Sequence, residues 1–153
     1  LRGALASGAN FASLLRAGGY RLDLDALCPF ARWRPGIAAA RIFDTRFYLA
    51  TAPDPCAPDA DGGECLRAFW GSAATILADA AAGRCRLIFP TRRALERLAI
   101  APTFAAARDD AARYPPVTIT PWIEERGDQR WLCIPPDCGY PVTAEPLESA
   151  LRG

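Results

Sequence analysis

The sequence predicts a fold of the α/β class, with both helices and strands. Three observations predict it. The clearest strand pattern in the chain, over residues 42–50, is rich in aromatic and β-branched residues. The middle third carries three runs with helical spacing and N-capping residues, and a hairpin pattern follows near the end. With 153 residues, of which 51% are hydrophobic, the chain is expected to form one globular domain over residues 1–153.

The first half of the chain is predicted to alternate between helix and strand. Residues 11–17 (FASLLRA) have the apolar spacing of a short helix closed by two glycines, and residues 20–30 are expected to be extended. The strand over residues 42–50 ends at a long polar loop. Residues 64–70 are predicted to form a further strand.

The middle third is predicted to be helical and the last third to contain the hairpin. Ser72, Thr91 and Thr103 are the predicted N-caps. The predicted helices cover residues 72–82, 92–100 and 104–113. The hairpin pairs residues 117–124 with residues 129–134 around Arg126-Gly127-Asp128, and a turn-rich stretch and a polar tail are expected after it.

Charge and hydropathy exclude several classes of partner. The net charge is +1 and the arginines are spread along the chain without a run, so no nucleic-acid partner is expected. No stretch is apolar enough to span a membrane, and the amino end lacks a signal-peptide pattern. All 18 basic residues are Arg and Ala is abundant, which is typical of a GC-rich bacterial gene. We therefore expect a soluble cytoplasmic protein.

The six cysteines are even in number but include no CxxC pair. Reduced thiols packed as small apolar residues are the favoured interpretation, while disulfides and a metal site remain open alternatives. Since the chain has no His, a zinc site would need four Cys.

A family resemblance begins at the strand that reads RIFDTRFYL over residues 41–49. It closely resembles the RRFDTRFFL strand of the Nudix branch that contains the coenzyme A diphosphatases. Four further segments resemble motifs of that branch in the same order. They are FASLLRAGGYRLDLDALCPFARW, GECLRAFW, FPTRRALERLA and IPPDCGYP. The chain departs from the pattern at Arg34, where the family has Thr before Pro, and at Arg67, where an acidic residue is common.

The resemblance implies a Nudix-type α/β/α sandwich with a mixed sheet and an added helical segment. It also implies hydrolysis of a diphosphate linkage in a nucleoside diphosphate derivative, with coenzyme A or an acyl-CoA as substrate and Mg²⁺ (or Mn²⁺) as cofactor. Hard divalent cations of this kind need carboxylate oxygens on a rigid element, which the Nudix box helix supplies in the family. A non-catalytic Nudix-fold binding or sensor module is the alternative.

The Nudix box, G-x5-E-x7-R-E-U-x-E-E-x-G-U, does not occur in the sequence. In the family it lies just before the position of Leu1, and the chain contains no Met. We therefore expect this chain to be the carboxy-terminal part of a Nudix domain, incomplete at the amino end, with the main metal ligands upstream of Leu1. The chain alone is then expected to be inactive.

Five residues are candidates for the site. Glu64 is the acidic candidate, either as a catalytic ligand of metal or water or as a solvated strand-end carboxylate. Arg46 is predicted to contact substrate phosphate, because a planar guanidinium suits phosphate, and Asp44 is a further candidate for substrate binding. The alternative is that Arg46 forms a structural ion pair, either across the strands or with Asp44. Trp33 is a candidate wall for an adenine ring, as is Trp70, with ordinary packing as the alternative.

Strand periodicity places Phe43, Thr45, Phe47 and Leu49 on one face and Asp44, Arg46 and Tyr48 on the other. The first face is predicted to be core. The second is predicted to carry the phosphate contact.

Overall fold

The computed structural model describes residues 1–36, 42–52, 57, 58, 60, 62, 63 and 65–152. The helices are α1 (Arg2–Ala6), α2 (Phe11–Ala17), α3 (Ala73–Ala81), α4 (Phe89–Ala99), α5 (Phe104–Arg113) and α6 (Leu147–Leu151). The strands are β1 (Cys28–Trp33), β2 (Thr45–Leu49), β3 (Thr118–Ile119), β4 (Trp122–Arg126), β5 (Gln129–Cys133) and β6 (Ala144–Pro146). None of the helices in these ranges is long and apolar enough to cross a membrane.

Two three-stranded sheets form the β part of a mixed α/β fold. The first has the order β2-β1-β3, with β2 antiparallel and β3 parallel to β1, so it is a mixed sheet as predicted. The second has the order β4-β5-β6 and is antiparallel throughout. The hydrophobic core draws on both sheets and on three helices, with Trp33, Ile119 and Ile134 as its largest fully buried side chains.

Helices with a local capping signal agree with the sequence prediction. The Ser72 hydroxyl accepts the amide of Thr75 at the start of α3, and the Thr103 hydroxyl accepts the amide of Ala106 at the start of α5. Helix α4, however, begins at Phe89, so Thr91 lies inside it and the predicted cap is wrong. Pro90 accounts for the earlier start, since proline is tolerated in a first helical turn, where its missing N–H has no partner to lose.

Strand predictions failed where pairing depends on distant residues. Residues 65–70 form no strand in the structure, and Leu66, Phe69 and Trp70 are exposed. β-branched and aromatic content alone does not make a strand without a partner to pair with. Likewise, only the last part of the segment predicted to be extended over residues 20–30 enters β1.

The predicted strand over residues 117–124 is two strands in different sheets. β3 pairs with β1, β4 pairs with β5, and Pro121 lies between them. Proline has no N–H for a ladder and a restricted φ, so the chain changes sheet there. The β4–β5 hairpin itself is confirmed, with Gly127 at a φ of 61° in its two-residue turn.

The tail is structured rather than merely polar. It forms β6 and α6, which bury Leu147 and Ala150. Glu145 of β6 is also buried because Arg92 and Arg93 of α4 hold its carboxylate. Arg93 lies 52 residues before Glu145 in the sequence, so the polarity of the tail alone does not reveal that this segment is structured.

The predicted core face of β2 is only partly correct. Phe47 and Leu49 pack against the core, but Phe43 is 62% exposed and Thr45 is also exposed. Phe43 precedes the first residue paired with β1, so it stands beyond the sheet. It lines an apolar cavity of about 230 Å³ with Trp33, Ile88 and Phe89.

Arg97 of α4 joins elements that are distant in sequence. Its guanidinium donates to the Asp110 carboxylate at 2.7 Å, to the Phe30 carbonyl at 3.0 Å, and to the carbonyls of Asp110 and Tyr114. It also stacks over the Phe30 ring at 4.5 Å. A side chain on Gly139 would meet the Tyr114 ring at 2.7 Å and Arg97 Nε at 3.2 Å, and Gly139 has a φ of 79°. Glycine is therefore required beside this arginine.

A second charged cluster joins α4 to β6. Arg93 contacts both Glu145 and Glu96, and Arg92 contacts Glu145. Among the described residues, Glu96 Oε2 and Arg93 Nε are buried without a hydrogen-bond partner. Burial raises the pKa of Glu96 above its ordinary value of 4.5, and the Arg93 charge opposes that rise.

We predict that Arg97→Met lowers the free energy of unfolding by about 3 kcal/mol, because a buried ion pair loses one partner while Asp110 and three carbonyls lose their donor. Urea unfolding followed by circular dichroism measures the change. Arg108→Met on the exposed side of α5 is the matched control, expected within about 0.5 kcal/mol of the wild type. Equal effects of the two substitutions would contradict the role given to Arg97.

We predict that Glu96 makes the free energy of unfolding depend on pH. Because its pKa is raised in the folded protein, the protonated form is favoured by folding, so its contribution to stability falls as pH rises from 4.5 to the raised value and is constant above it. Glu96→Gln should remove this fall, and the stability advantage of the variant over the wild type should grow across that window. Unfolding midpoints at several pH values test it; an advantage that shrinks as pH rises is the opposite outcome.

Candidate functional site

Charged residues from β1 and β2 meet on an exposed face of the mixed sheet. Arg32 and Arg46 are direct cross-strand partners, so their side chains share a face. Arg32 binds both carboxylate oxygens of Asp44, at 2.8 and 2.7 Å. Arg46 lies 3.8 Å from the same carboxylate, too far for a hydrogen bond, and its side chain is 58% exposed. The two predicted phosphate-site residues, Asp44 and Arg46, are thus together, with Arg32 added.

This arginine cluster has an excess of positive charge. The hydrogen bond from Arg32 holds the pKa of Asp44 below its ordinary value, and the charges of Arg46 and Arg34 lower it further. Arg32 and Arg46 lie beside one carboxylate that is ionised at neutral pH, and the charge of Arg34 also acts on it, so three positive charges meet one negative charge. Like charges on neighbouring strands repel. An anion bound at this face would relieve that repulsion.

A cavity lies along the same strand. Tyr48 follows Arg46 by two residues, so it faces the same side about 7 Å farther along β2. Tyr48 lines a cavity of about 510 Å³ with Leu49 and with residues at the first turns of α3 and α5, including Ser72, Thr103 and Phe104. The cavity is large enough for part of a small ligand. Tyr48 is thus the residue of β2 that alternates onto the side of Arg46 and also borders this cavity.

Trp33 lies in the core rather than in a ligand-binding wall. Its ring is 1% exposed, packs edge-on against Phe89 and Tyr140, and donates its indole N–H to the Tyr140 hydroxyl at 3.0 Å. At 1% exposure the ring is engaged in the core, which favours packing, the alternative given for Trp33, over the role of an adenine wall. Burial raises the pKa of Tyr140, which keeps this hydroxyl neutral and able to accept the bond.

The remaining candidates from the sequence are Glu64, Trp70 and the cysteines. Glu64, the candidate catalytic residue, lies outside the described residues. Trp70 is described and exposed. Cys28, Cys85, Cys133 and Cys138 are free thiols.

The described carboxylates do not form a site for Mg²⁺ or Mn²⁺. In the described ranges no group of three or more His, Cys, Asp or Glu side chains comes together. Asp44, Glu124 and Glu145 are each held by an arginine. These residues do not fit the donor set of a hard divalent cation, and no reaction step through a metal is assigned to them.

Two cluster residues were not recognised as candidates from the sequence. In the sequence Arg32 belongs to a resembling motif, and Arg34 is a departure from one. Their spacing of two residues in an extended segment places them on one face. The position of Arg32 opposite Arg46 does not follow from the sequence, because it depends on the register between β1 and β2.

Comparisons with known proteins give no match: no protein-family model, curated protein or solved structure is similar enough to this chain to be paired with it.

We predict that Trp33→Phe lowers the free energy of unfolding by about 1–3 kcal/mol, because the buried Tyr140 hydroxyl loses its donor and a smaller ring leaves a gap. Thermal and urea unfolding measure it. Trp122→Phe, at a partly exposed indole on β4, is the control and should have little effect. A Trp33→Phe variant as stable as the wild type would show that the Trp33–Tyr140 contact does not support the core.

Proposed function

We propose that this chain is the carboxy-terminal, substrate-binding part of a Nudix-type hydrolase domain. In the complete protein it would hydrolyse the diphosphate linkage of a nucleoside diphosphate derivative. The observation that carries the proposal is the arginine cluster of Arg32, Arg34 and Arg46 around Asp44 on the exposed face of the sheet. Asp44 and Arg46 lie in the DTRFYL segment, where the resemblance to the coenzyme A diphosphatase branch is closest.

The chemistry of the cluster fits a phosphate group. The Asp44 carboxylate receives two hydrogen bonds from Arg32 and none from Arg46, so the donors of Arg46 are not used by that carboxylate. A guanidinium fork binds phosphate oxygens through paired charge-assisted hydrogen bonds. Arg32 is oriented by Asp44, and Arg46 is then the main contact to a phosphoryl oxygen whose charge increases as the diphosphate is cleaved.

The packing of the motif residues also supports the family assignment. Three of the resembling segments meet at one point. They are the segment that ends in FARW, the segment that begins with FPT and the segment that contains GYP. Trp33 contacts Phe89 with a ring-centre distance of 5.9 Å and Tyr140 with one of 5.4 Å. Segments this far apart in sequence form a single core contact. The α/β/α sandwich of the family is our proposal for how this mixed α/β fold is completed.

The role proposed for this chain is to bind the substrate and to neutralise the charge of its phosphate groups. The carboxylates that hold Mg²⁺ or Mn²⁺ in a Nudix hydrolase belong to the box, which is not in these residues. Coenzyme A or an acyl-CoA is the substrate implied by the resemblance. The cavity beside Tyr48 is the proposed location for the part of the substrate next to the diphosphate.

We predict that Arg46→Ala in the complete protein lowers kcat/KM for coenzyme A by about 30- to 1000-fold, equivalent to about 2–4 kcal/mol of transition-state stabilisation. The melting temperature should change little, because the exposed pair with Asp44 contributes little stability. Arg46→Lys should recover only a small part of the rate, since a single ammonium does not reproduce two parallel hydrogen bonds to phosphate.

Arg126→Ala is the matched control. Arg126 is also an exposed arginine on a strand and pairs with a carboxylate, that of Glu124 at 2.9 Å. It lies in the other sheet, and its loss should leave kcat/KM unchanged. If Arg46→Ala instead lowers stability and leaves kcat/KM within about threefold, Arg46 is a structural ion pair. If the complete protein binds coenzyme A without hydrolysing it, the binding or sensor module is the better description.

A further inference from the structure

Arg34 is the third cation of the arginine cluster and has no described ion-pair partner. It follows Arg32 by two residues, and its backbone N–H donates to the Ile119 carbonyl at 2.9 Å, which continues the extended pairing beyond β1. Alternation along an extended chain therefore places the Arg34 side chain on the face that carries Arg32. Arg34 is exposed, and its charge reaches Asp44.

The three guanidinium groups differ in what already binds them. Arg32 is held by both oxygens of Asp44, and Arg46 is within 3.8 Å of one of them. The single carboxylate therefore offsets the charge near Arg32 and Arg46 more than the charge near Arg34. Residues two apart on a strand are about 7 Å apart, so two long arginine side chains at such positions can converge on phosphate groups that share a bridging oxygen.

We propose that Arg34 makes the cluster selective for ligands with two linked phosphate groups over ligands with one. Arg46 and Arg32 bind the first phosphate, and Arg34 binds the second. This inference rests on the proposed function and names the residue that determines specificity in the same site. The resembling family motif has Thr at this position, so the selectivity given by Arg34 would be a feature of this chain.

The test is direct binding of inorganic phosphate and inorganic pyrophosphate to the complete protein, measured by isothermal titration calorimetry at low ionic strength. The wild type should bind pyrophosphate more tightly than phosphate. Arg34→Thr should weaken pyrophosphate binding by about fivefold and leave phosphate binding nearly unchanged, as expected for one exposed charge contact. The difference should shrink as salt is added, because exposed charges are screened.

Two further variants separate the possible failures. Arg108→Thr, an exposed arginine on α5, should change neither affinity. If Arg46→Ala weakens both anions while Arg34→Thr weakens neither, or weakens both equally, the selectivity of Arg34 is refuted and the phosphate role of the cluster stands. If the folded wild type binds neither anion, both proposals fail. Circular dichroism of each variant verifies that it is folded.

Discussion

The buried guanidinium of Arg97 is the constraint on which the rest of the structure depends. A charge in the core is strongly unfavourable unless it is paired and its donors are satisfied. Here the side chain is 2% exposed and finds one carboxylate and three carbonyls, contributed by β1, α5 and the residue after α5. The arginine therefore fixes the position of α4 against the mixed sheet. It also requires a glycine at position 139, because any side chain there would collide with the Tyr114 ring.

The orientation of β1 connects this core to the proposed binding face. The Phe30 carbonyl is held by Arg97 and the Trp33 indole by Tyr140, so β1 is fixed near both ends. A shift of one residue in its register with β2 would exchange the two faces of the strand. Arg32 would then turn toward the core and lose Asp44. The arginine cluster thus exists only because the core contacts hold β1 in one register.

The parts of the fold that could be predicted from sequence are those determined locally. Ser72 and Thr103 cap α3 and α5 through hydrogen bonds that span three residues, and the glycine turn defines the β4–β5 hairpin. The parts that failed depend on distant partners. β6 is held by Glu145 contacts to α4, which no local pattern encodes. For the site, Asp44 and Arg46 were identified from one strand, but Arg32 joins them through cross-strand register alone.

The resembling segments contain buried residues, which bear on the fold, and exposed charged residues, which bear on function. Phe89, Trp33 and Tyr140 are buried against one another, so their presence in a motif is explained by packing. Asp44 and Arg46 lie on an exposed face, where packing does not require a particular residue. Stability gives little reason to place these charges there, because exposed ion pairs contribute little and the neighbouring arginines repel one another. Binding of an anionic group gives a direct reason. The exposed half of the DTRFYL strand, rather than its buried half, therefore carries the residues on which the proposed phosphate-binding role rests.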